Sequence, residues 1–432
     1  MNIAILGFDT EGRSSYEYFL AQGHELTILD QDLTKVVPTA AAAVLGPDYL
    51  ADLSRFDLVV RTAGLPPRLI FAANPDLDPA KVTTQVNEFF KVCPTKNTIG
   101  VTGTKGKGTT STLVTQMLQA AGLDVQLAGN IGLPALDILP QLSADSWVVL
   151  ELSSFQLSDC RYSPHIAVCL MVQPEHLNWH ADMTEYLAAK SQLFAHQTND
   201  DLAIYYGAND NSRTIAGQGQ GRKLPFYESP GAVVSNGAIC INDQIICTTD
   251  ELKLLGKHNW QNACAAVTTA WQISQNVDAL RKVLTSFSGL EHRLELVRSF
   301  NDVWYYDDSF GTTPETAIVA MEAFEQPKIV ILGGSDKGAS YDDLAATVAS
   351  SNVRQALLIG DQASRLQSAL EKVGFLQFMP GGDSMATIVS TAREHAQPGD
   401  VVLLSTGCAS FDMFNNYKDR GAQFKAVVQA LV

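Results

Sequence analysis

The residues best suited to chemistry form one short run between an apolar segment and a helical pattern. Residues 99–110 read IGVTGTKGKGTT. The glycines let backbone N–H groups turn toward one anion, the helix that begins near Thr109 adds its positive dipole end, and Lys107 can reach terminal phosphates. The run therefore predicts a phosphate cradle for ATP or GTP, with an ordinary glycine-rich turn as the alternative. The cradle is a variant, because Val101 and Gly108 stand where the commoner spacing has Gly and a magnesium-binding Ser or Thr.

Acidic and imidazole side chains follow the cradle along the chain. The predicted strand Ser146–Leu150 is followed directly by Glu151, and Glu175, His176 and His180 come later. Carboxylate and imidazole groups around a triphosphate suit Mg²⁺, which bridges phosphate oxygens during phosphoryl transfer. The alternatives are a helix-capping role for Glu151 and structural roles for the single histidines.

A first glycine turn lies near the start of the chain. It runs from Gly7 to Gly12 after an apolar strand, and a second predicted strand, Leu26–Leu29, ends in Asp30. Doubly wound folds often place such an acid against a ribose. The turn lacks the GxGxxG fingerprint, so the sequence favours a nucleotide-sugar, or no ligand, over a dinucleotide such as NAD.

Three loops in the last third of the chain also predict ligand contacts. The loop 307–313 ends a strand with two acids and three hydroxyls before a helix predicted over 314–324; helix capping explains one hydroxyl but not the rest. Residues 333–338 and 405–410 follow strands and are predicted to be small-anion sites. We expect Cys408, in the last loop, to be a buried thiol rather than a nucleophile.

Two amides begin an alanine-rich helical pattern after His258. Asn259 and Asn262 are three residues apart, so they share one helix face. Together they could hydrogen-bond the edge of a purine.

Strand, glycine turn and helix alternate three times along the 432 residues, as in parallel α/β sheets. We therefore predict an α/β protein of three domains. These are an N-terminal Rossmann-like domain over residues 1–94, a central P-loop ATPase-like parallel sheet over 95–293, and a C-terminal Rossmann-like domain over 294–432.

Composition excludes several classes of function. A formal net charge of −16 argues against nucleic acid as a partner, because phosphate backbones are bound by basic surfaces. The seven cysteines form no CxxC pair and no zinc-ligand spacing, which favours a reducing cytoplasm. Since no apolar run approaches the roughly 20 residues that span a bilayer, we expect no membrane insertion.

Longer motifs add a resemblance that covers nearly the whole chain. They are Gly129–Leu136 (GNIGLPAL), Glu151–Leu157 (ELSSFQL), Cys408–Phe414 (CASFDMF) and Arg420-Gly421. With the cradle, they resemble the Mur ligase family, ATP-dependent ligases that add amino acids to the UDP-N-acetylmuramoyl precursor of peptidoglycan. The motifs are most similar to those of members that add D-glutamate to UDP-N-acetylmuramoyl-L-alanine through an acyl phosphate.

The resemblance implies that the first domain binds UDP, the second ATP with Mg²⁺, and the third the amino acid, closing over both. It implies catalytic roles for Lys107, Lys190, His176 and Glu151. The implied metal ligands are Glu151, His176, Lys190 as a carbamate, and Thr109. The implied ATP-binding residues are Gly103, Thr104, Lys105, Gly106, Lys107, Gly108, Thr109, Asn259, Asn262, Arg293 and Asp308. The implied UDP-substrate residues are Gly7, Gly12, Arg13, Ser14, Asp30, Asn130, Ser153 and Gln156. The implied amino-acid-binding residues are Thr312, Lys337, Ser410 and Tyr417.

Several positions depart from the family pattern. Lys105 stands where the family has Asn, Glu175 where it has Asp, Thr406-Gly407 where it has Pro-Ala, and Phe310 where it has Lys. The loss of a lysine at Phe310 leaves open an amino acid other than D-glutamate. The sequence also leaves open a folylpolyglutamate-type ligase, for which the N-terminal domain is superfluous, and a non-catalytic nucleotide-sugar-binding homologue. We expect a cytoplasmic monomer.

Overall fold

The structure, a computed structural model, describes residues 1–177, 179–254, 256–336 and 339–432. The chain forms two compact units, one of Met1–Leu252 with Lys257–Phe287 and one of Lys253–Gly256 with Ser288–Val432. Each unit is described by itself. Within the described residues, no helix combines the length and the apolar character that crossing a membrane requires.

The first unit begins with a five-stranded parallel sheet in the order β3-β2-β1-β4-β5, as in doubly wound folds. Alternate residues of the first strand are buried on opposite faces, with Ile3 and Ile5 in one core cluster and Ala4 and Leu6 in the other. The strands are β1 Asn2–Leu6, β2 Glu25–Asp30, β3 Ala42–Leu45, β4 Leu58–Arg61 and β5 Val82–Thr84. The helices are α1 Thr10–Ala21, α2 Pro67–Ala73 and α3 Gln85–Val92.

A six-stranded parallel sheet follows, in the order β11-β10-β9-β6-β8-β7. Its strands are β6 Thr98–Thr102, β7 Val125–Gly129, β8 Trp147–Glu151, β9 Ile166–Cys169, β10 Leu202–Tyr206 and β11 Arg222–Phe226. Its helices are α4 Lys107–Ala120, α5 Ser154–Leu157, α6 Met183–Ala195 and α7 Asp210–Ala216. The chain winds to one side of β6 and then to the other, so the carboxyl end of β6 lies at a switch point, where such sheets bind ligands.

The first unit closes with a small antiparallel sheet and two helices. These elements are β12 Val233–Ser235, β13 Ala238–Ile241, β14 Gln244–Thr248, α8 His258–Trp271 and α9 Val277–Ser286. Helices α8 and α9 pack against α4, which begins at the cradle.

The second unit is a sheet in the order β15-β16-β20-β17-β18-β19, in which only the β15–β16 pair is antiparallel. The strands are β15 Glu295–Phe300, β16 Val303–Asp307, β17 Lys328–Gly333, β18 Val353–Ile359, β19 Phe378–Pro380 and β20 Val401–Leu404. The helices are α10 Pro314–Glu322, α11 Asp342–Ser350, α12 Ala363–Lys372, α13 Met385–His395 and α14 Tyr417–Gln429. Separate apolar cores cover its two faces.

The predicted α/β class with parallel sheets is confirmed. The cradle helix begins at Lys107 rather than near Thr109, because Gly106 already takes the N-cap position. The helix predicted over 314–324 ends at Glu322. The domain boundaries at 94/95 and 293/294 stay predictions, since the first two large sheets belong to one compact unit.

Candidate active site

The glycine cradle connects β6 to α4. Gly103 and Gly106 have φ of +148° and +86°, in the region that favours glycine. A Cβ atom on Gly106 would lie 2.1 Å from Asn262 Oδ1, and one on Gly103 would lie 2.7 Å from Leu170 Cβ. No side chain caps α4, so its first backbone N–H groups face the loop. The backbone therefore takes the form of an anion cradle that only glycine permits.

Two lysines converge on one carbonyl oxygen of this loop. Lys107 Nζ donates to Gly103 O at 3.1 Å and to Thr104 O at 2.9 Å, and Lys190 Nζ donates to Gly103 O at 2.9 Å. Lys190 is fully buried on α6, and its Nζ lies 4.6 Å from the centroid of the Tyr186 ring. Burial first, and then the charge of Lys107, lower the pKa of Lys190 to about 7, while Glu175 and Glu151 oppose this shift. Two lysine side chains thus lie at the place where a phosphate would sit.

The remaining loop residues have different surroundings. The Thr104 hydroxyl binds Gln173 O at 3.0 Å and the Tyr186 hydroxyl at 2.9 Å, so it fastens the loop to α6. Lys105 is exposed, Gly108 is buried, and Thr109 is half-buried in the first turn of α4.

Glu151 ends β8 beside the cradle strand, paired in register with Val101. Its carboxylate accepts a hydrogen bond from Asn130 Nδ2 at 3.0 Å, and its carbonyl oxygen accepts one from Asn130 N at 2.9 Å. The alternative of a capping acid is wrong, because Ser153 caps α5 in a capping box with Gln156. Glu151 is therefore a buried carboxylate at the carboxyl edge of the sheet.

The two histidines of the following loop differ in environment. His176 has φ of +58°, its side chain is 46% exposed, and its ring lies 4.9 Å from that of Phe155. Burial lowers its pKa, as do the charges of Lys107 and Lys190, while Glu175 raises it. His180 is buried and pairs with the Ser154 hydroxyl at 2.9 Å, which suits a structural role. Of the two, His176 is the one available to a ligand.

A small pocket adjoins the cradle on the side of α8. It holds the predicted Asn262, whose Nδ2 donates to Asn259 Oδ1 at 2.9 Å, so the two amides meet as expected. Sequence reasoning missed Leu170, Met171 and Phe226 in its lining, because these residues lie at the ends of β9 and β11 and carry no motif. The residues that line the pocket are Lys105, Gly106, Leu170, Met171, Phe226, His258, Gln261 and Asn262. Its largely apolar lining beside a phosphate cradle suits a nucleobase.

A larger cleft, of about 390 Å³, lies at the amino ends of the same strands. Four of its polar side chains are already engaged, with His165 Nδ1 3.0 Å from Asp201 Oδ1 and Arg222 donating to Gln272. Parallel α/β sheets bind ligands at the opposite edge, so this cleft does not contribute to the candidate site.

The first glycine turn packs tightly at the carboxyl end of β1. A Cβ on Gly12 would lie 1.9 Å from Gly7 O, so this approach requires glycine. The Asp30 carboxylate accepts hydrogen bonds from Phe8 N at 2.8 Å and Asp32 N at 2.9 Å. Arg13 lies over the Phe8 ring at 4.6 Å and donates to Val36 O. Asp30 thus holds the turn itself.

The other predicted substrate residues lie where the first sheet meets the central one. Gln156 Nε2 donates to Glu11 Oε1 at 2.5 Å, while Ser14 donates to Asp137 and accepts from Gln85 Nε2. Sequence reasoning missed Glu11, Gln85 and Asp137, which have no local motif. These hydrogen bonds join polar residues that flank the first sheet to polar residues that flank the central sheet.

In the second unit, the loop after β16 is held by its acids. Asp308 accepts hydrogen bonds from the Ser405 hydroxyl at 2.6 Å and from Leu294 N at 3.2 Å. Burial, together with the charge of the neighbouring Asp307, raises the pKa of Asp308 to about 7. Thr313 caps α10, which accounts for one hydroxyl of the loop, as expected.

Two of the predicted ligand residues of this unit pack against Phe310. Arg293 Cζ lies 3.7 Å from the Phe310 ring centroid, and the Tyr417 ring lies 5.2 Å from it, edge-on. Thr312 is half-buried in the same loop, and Ser410 is buried after β20. Lys337 lies outside the described residues. Cys408 is buried against the Tyr341 hydroxyl, and burial raises its pKa, as expected of an inert thiol.

The first unit suits a nucleoside triphosphate and a divalent cation. A side chain at Gly106 would fill the cradle, and two lysines already gather on Gly103 O. Glu151, His176 and the Thr109 hydroxyl offer a carboxylate, an imidazole and a hydroxyl, and Mg²⁺ prefers oxygen donors such as the carboxylate and the hydroxyl. The residues present therefore fit both groups.

Comparison with known proteins agrees with this geometry. Residues 101–270 match the Mur ligase middle domain family, and residues 292–408 match the Mur ligase glutamate ligase domain family. A UDP-N-acetylmuramoylalanine–D-glutamate ligase of Symbiobacterium thermophilum is 34% identical, covering 99% of this chain and 98% of the relative. One of Clostridium kluyveri is 34% identical over 99% of this chain and 96% of the relative.

Solved structures show the same fold at low identity. A UDP-N-acetylmuramate-alanine ligase of Thermotoga maritima has a TM-score of 0.60 at 15% identity, covering 100% of this chain and 99% of the other. A MurF ligase of Acinetobacter baumannii has a TM-score of 0.63 at 16% identity, covering 99% of this chain and 93% of the other.

Proposed function

Because this chain belongs to the Mur ligase family, we propose that it is an ATP-dependent ligase that joins D-glutamate to UDP-N-acetylmuramoyl-L-alanine in peptidoglycan precursor synthesis. The observation that carries the proposal is the convergence of Lys107 and Lys190 on one glycine cradle beside Glu151. A carboxylate is a poor electrophile, and activating it requires a phosphoryl group held among such charges.

The reaction follows from the chemistry of the acceptor carboxylate and of the D-glutamate amine. A carboxylate oxygen of the acceptor attacks the γ-phosphorus of ATP, the bond to the leaving ADP oxygen breaks, and an acyl phosphate forms. The neutral amine of D-glutamate attacks the acyl carbon, its nitrogen loses one proton to solvent, and the tetrahedral intermediate expels phosphate to leave the amide. Lys107 neutralises charge on the transferred group, while the N–H groups at the start of α4 orient it.

The proposal assigns the metal to Glu151, His176 and Thr109, with Lys190 as a fourth ligand after carbamylation. Bound there, Mg²⁺ would neutralise phosphate charge. Carbamylation joins a neutral amine to CO₂ and turns a cation into an anionic oxygen ligand. The surroundings of Lys190 support carbamylation. Its side chain is buried, and among the described residues no carboxylate oxygen lies within salt-bridge distance of its Nζ.

The role of Lys190 is tested by chemical rescue. Lys190→Ala should lose activity, and a short carboxylate such as acetate should restore part of it by supplying the missing oxygen ligand. The same additive should not rescue Lys107→Ala, which lacks a cation. Equal behaviour of the two variants toward acetate, or no rescue of Lys190→Ala, would reject the carbamate.

The remaining assignments follow the site. Gly7, Gly12, Arg13, Ser14, Asp30, Asn130, Ser153 and Gln156 would bind the UDP-linked acceptor. Gly103, Thr104, Lys105, Gly106, Gly108, Asn259, Asn262, Arg293 and Asp308 would bind ATP. Thr312, Lys337, Ser410 and Tyr417 would bind the amino acid. We place the protein in the cytoplasm as a monomer, and its seven free thiols support a reducing compartment.

Phosphate release tests the proposal. Purified protein with ATP, Mg²⁺ and UDP-N-acetylmuramoyl-L-alanine is given D-Glu, L-Glu, D-Asp or L-Lys, and phosphate is measured. Turnover only with D-Glu supports the proposal. Turnover with another amino acid assigns a sibling ligase. This outcome is tested because Phe310 stands in place of the family lysine. A second series replaces the UDP-linked acceptor with a folate. Turnover only in that series assigns a folylpolyglutamate-type ligase, and no turnover in either series assigns a non-catalytic homologue.

A further inference from the structure

Phe310 is the one apolar side chain in a loop of acids, hydroxyls and glycine, and no step of the proposed reaction uses it. Its side chain is 38% exposed, a large fraction for an aromatic residue. Arg293 Cζ lies 3.7 Å from the ring centroid, and Tyr417 packs edge-on at 5.2 Å. The ring therefore contacts both a residue proposed to bind ATP and one proposed to bind the amino acid.

The backbone on both sides of Arg293 is tied to the loop that carries Phe310. Phe310 N donates to His292 O at 3.0 Å, and Leu294 N donates to Asp308 Oδ1 at 3.2 Å. His292 and Leu294 have φ of +63° and +46°. Left-handed conformations are unfavourable for such residues and tend to occur at functional sites. Arg293 is thus held between two strained residues rather than on a relaxed turn.

The loop is also held from its buried side. The Ser309 hydroxyl donates to Tyr417 O at 2.8 Å, and the fully buried Arg420 donates to Ser309 Oγ at 2.8 Å and to Ser309 O at 2.7 Å. Phe310 and Tyr417 consequently share one rigid support. A ring on such a support can fix the position of a side chain stacked on it.

From this arrangement we propose that Phe310 is a positioning residue, whose ring holds the Arg293 guanidinium group in the orientation that binds a phosphate of ATP. The inference rests on the proposed function for the role of Arg293. An arginine side chain has many rotamers, and ordering it opposes binding. Stacking engages the flat face of the guanidinium group, while the N–H groups that bind phosphate point along its plane.

The test compares Phe310→Leu with Phe310→Trp. Leucine removes the stack and should raise KM for ATP about fivefold to tenfold, the effect expected of a stacked arginine, with a smaller change in kcat. Tryptophan keeps a stacking face and should retain a near wild-type KM. Phe300→Leu is the matched control, because Phe300 lies under Arg298 at 4.8 Å and Arg393 at 5.2 Å in the same unit. It should leave KM for ATP unchanged.

A double-mutant cycle shows whether Phe310 acts through Arg293. In an Arg293→Ala background, Phe310→Leu should change KM for ATP less than twofold. The same fivefold to tenfold effect in both backgrounds, or no effect of Phe310→Leu alone, would overturn the proposal.

A failure of the proposed function is seen separately, as absent phosphate release by the wild type with D-glutamate. In that case the same variants are compared by the Kd for ATP in calorimetry. Weaker ATP binding by Phe310→Leu than by the wild type and Phe310→Trp supports the positioning role, and equal Kd values overturn it.

Discussion

Lys107 donates hydrogen bonds to two carbonyl groups of its own loop, Gly103 O and Thr104 O, and so remains at the cradle. Replacing it with alanine removes charge neutralisation from phosphoryl transfer. We expect Lys107→Ala to lower kcat by about 1,000-fold, to the limit of detection, without loss of folded protein. Phosphate release and circular dichroism measure the two quantities. Lys96→Ala, at an exposed site before β6, is the control, and near wild-type turnover by Lys107→Ala would refute the role.

Asp308 makes the stability of the second unit depend on pH. Burial raises its pKa from 3.8 to about 7, so the folded chain binds this proton more tightly than the unfolded chain does. As pH rises from about 4 to about 7, the group therefore loses stabilising free energy. Asp308→Asn carries no such proton and should gain about 3 kcal/mol over the wild type between pH 4.5 and pH 8. Urea unfolding at both pH values measures this gain, and a constant difference would contradict it.

At the scale of elements, the cradle depends on Gly106 for two separate reasons, its positive φ and the contact that a Cβ would make with Asn262. Gly122 offers a matched control, since its φ of +88° is similar and a Cβ there would meet nothing within 4 Å. Both alanine variants should lose about 1–2 kcal/mol of stability from the strained backbone. Only Gly106→Ala should also lose ATP affinity. Equal Kd values for ATP in the two variants would contradict the cradle.

The sequence predicted individual elements better than their association. Apolar runs that end in glycine turns located β1, β6 and β20, because a buried parallel strand and its loop each leave a local pattern. The cradle and Glu151 were found for the same reason. Leu170, Met171 and Phe226 were not, since the pocket they line forms only when β9 and β11 join the sheet. The stack of Arg293 on Phe310 also has no local signal, because 16 residues separate the two side chains.

Within the first unit, Arg61 joins the first sheet to the central one. It ends β4, is 1% exposed, and donates to Asp159 Oδ2 at 2.8 Å, Ser158 Oγ at 2.7 Å and Phe155 O at 2.9 Å. Removing one member of a buried ion pair leaves the other unpaired, so Arg61→Met should cost about 3 kcal/mol in urea unfolding. The exposed Arg55→Met should cost less than about 0.5 kcal/mol. Similar stabilities of the two variants would mean that this junction does not depend on Arg61.

At the scale of the whole molecule, the central claim is that the acceptor carboxylate is converted into an acyl phosphate before the amide forms. The most direct measurement uses UDP-N-acetylmuramoyl-L-alanine labelled with ¹⁸O in its terminal carboxylate, with ATP, Mg²⁺ and D-glutamate. Mass spectrometry of the released phosphate follows the oxygen that attacked phosphorus. We predict one ¹⁸O atom in each phosphate and one in each amide product. Unlabelled phosphate released in step with amide formation would contradict the acyl phosphate.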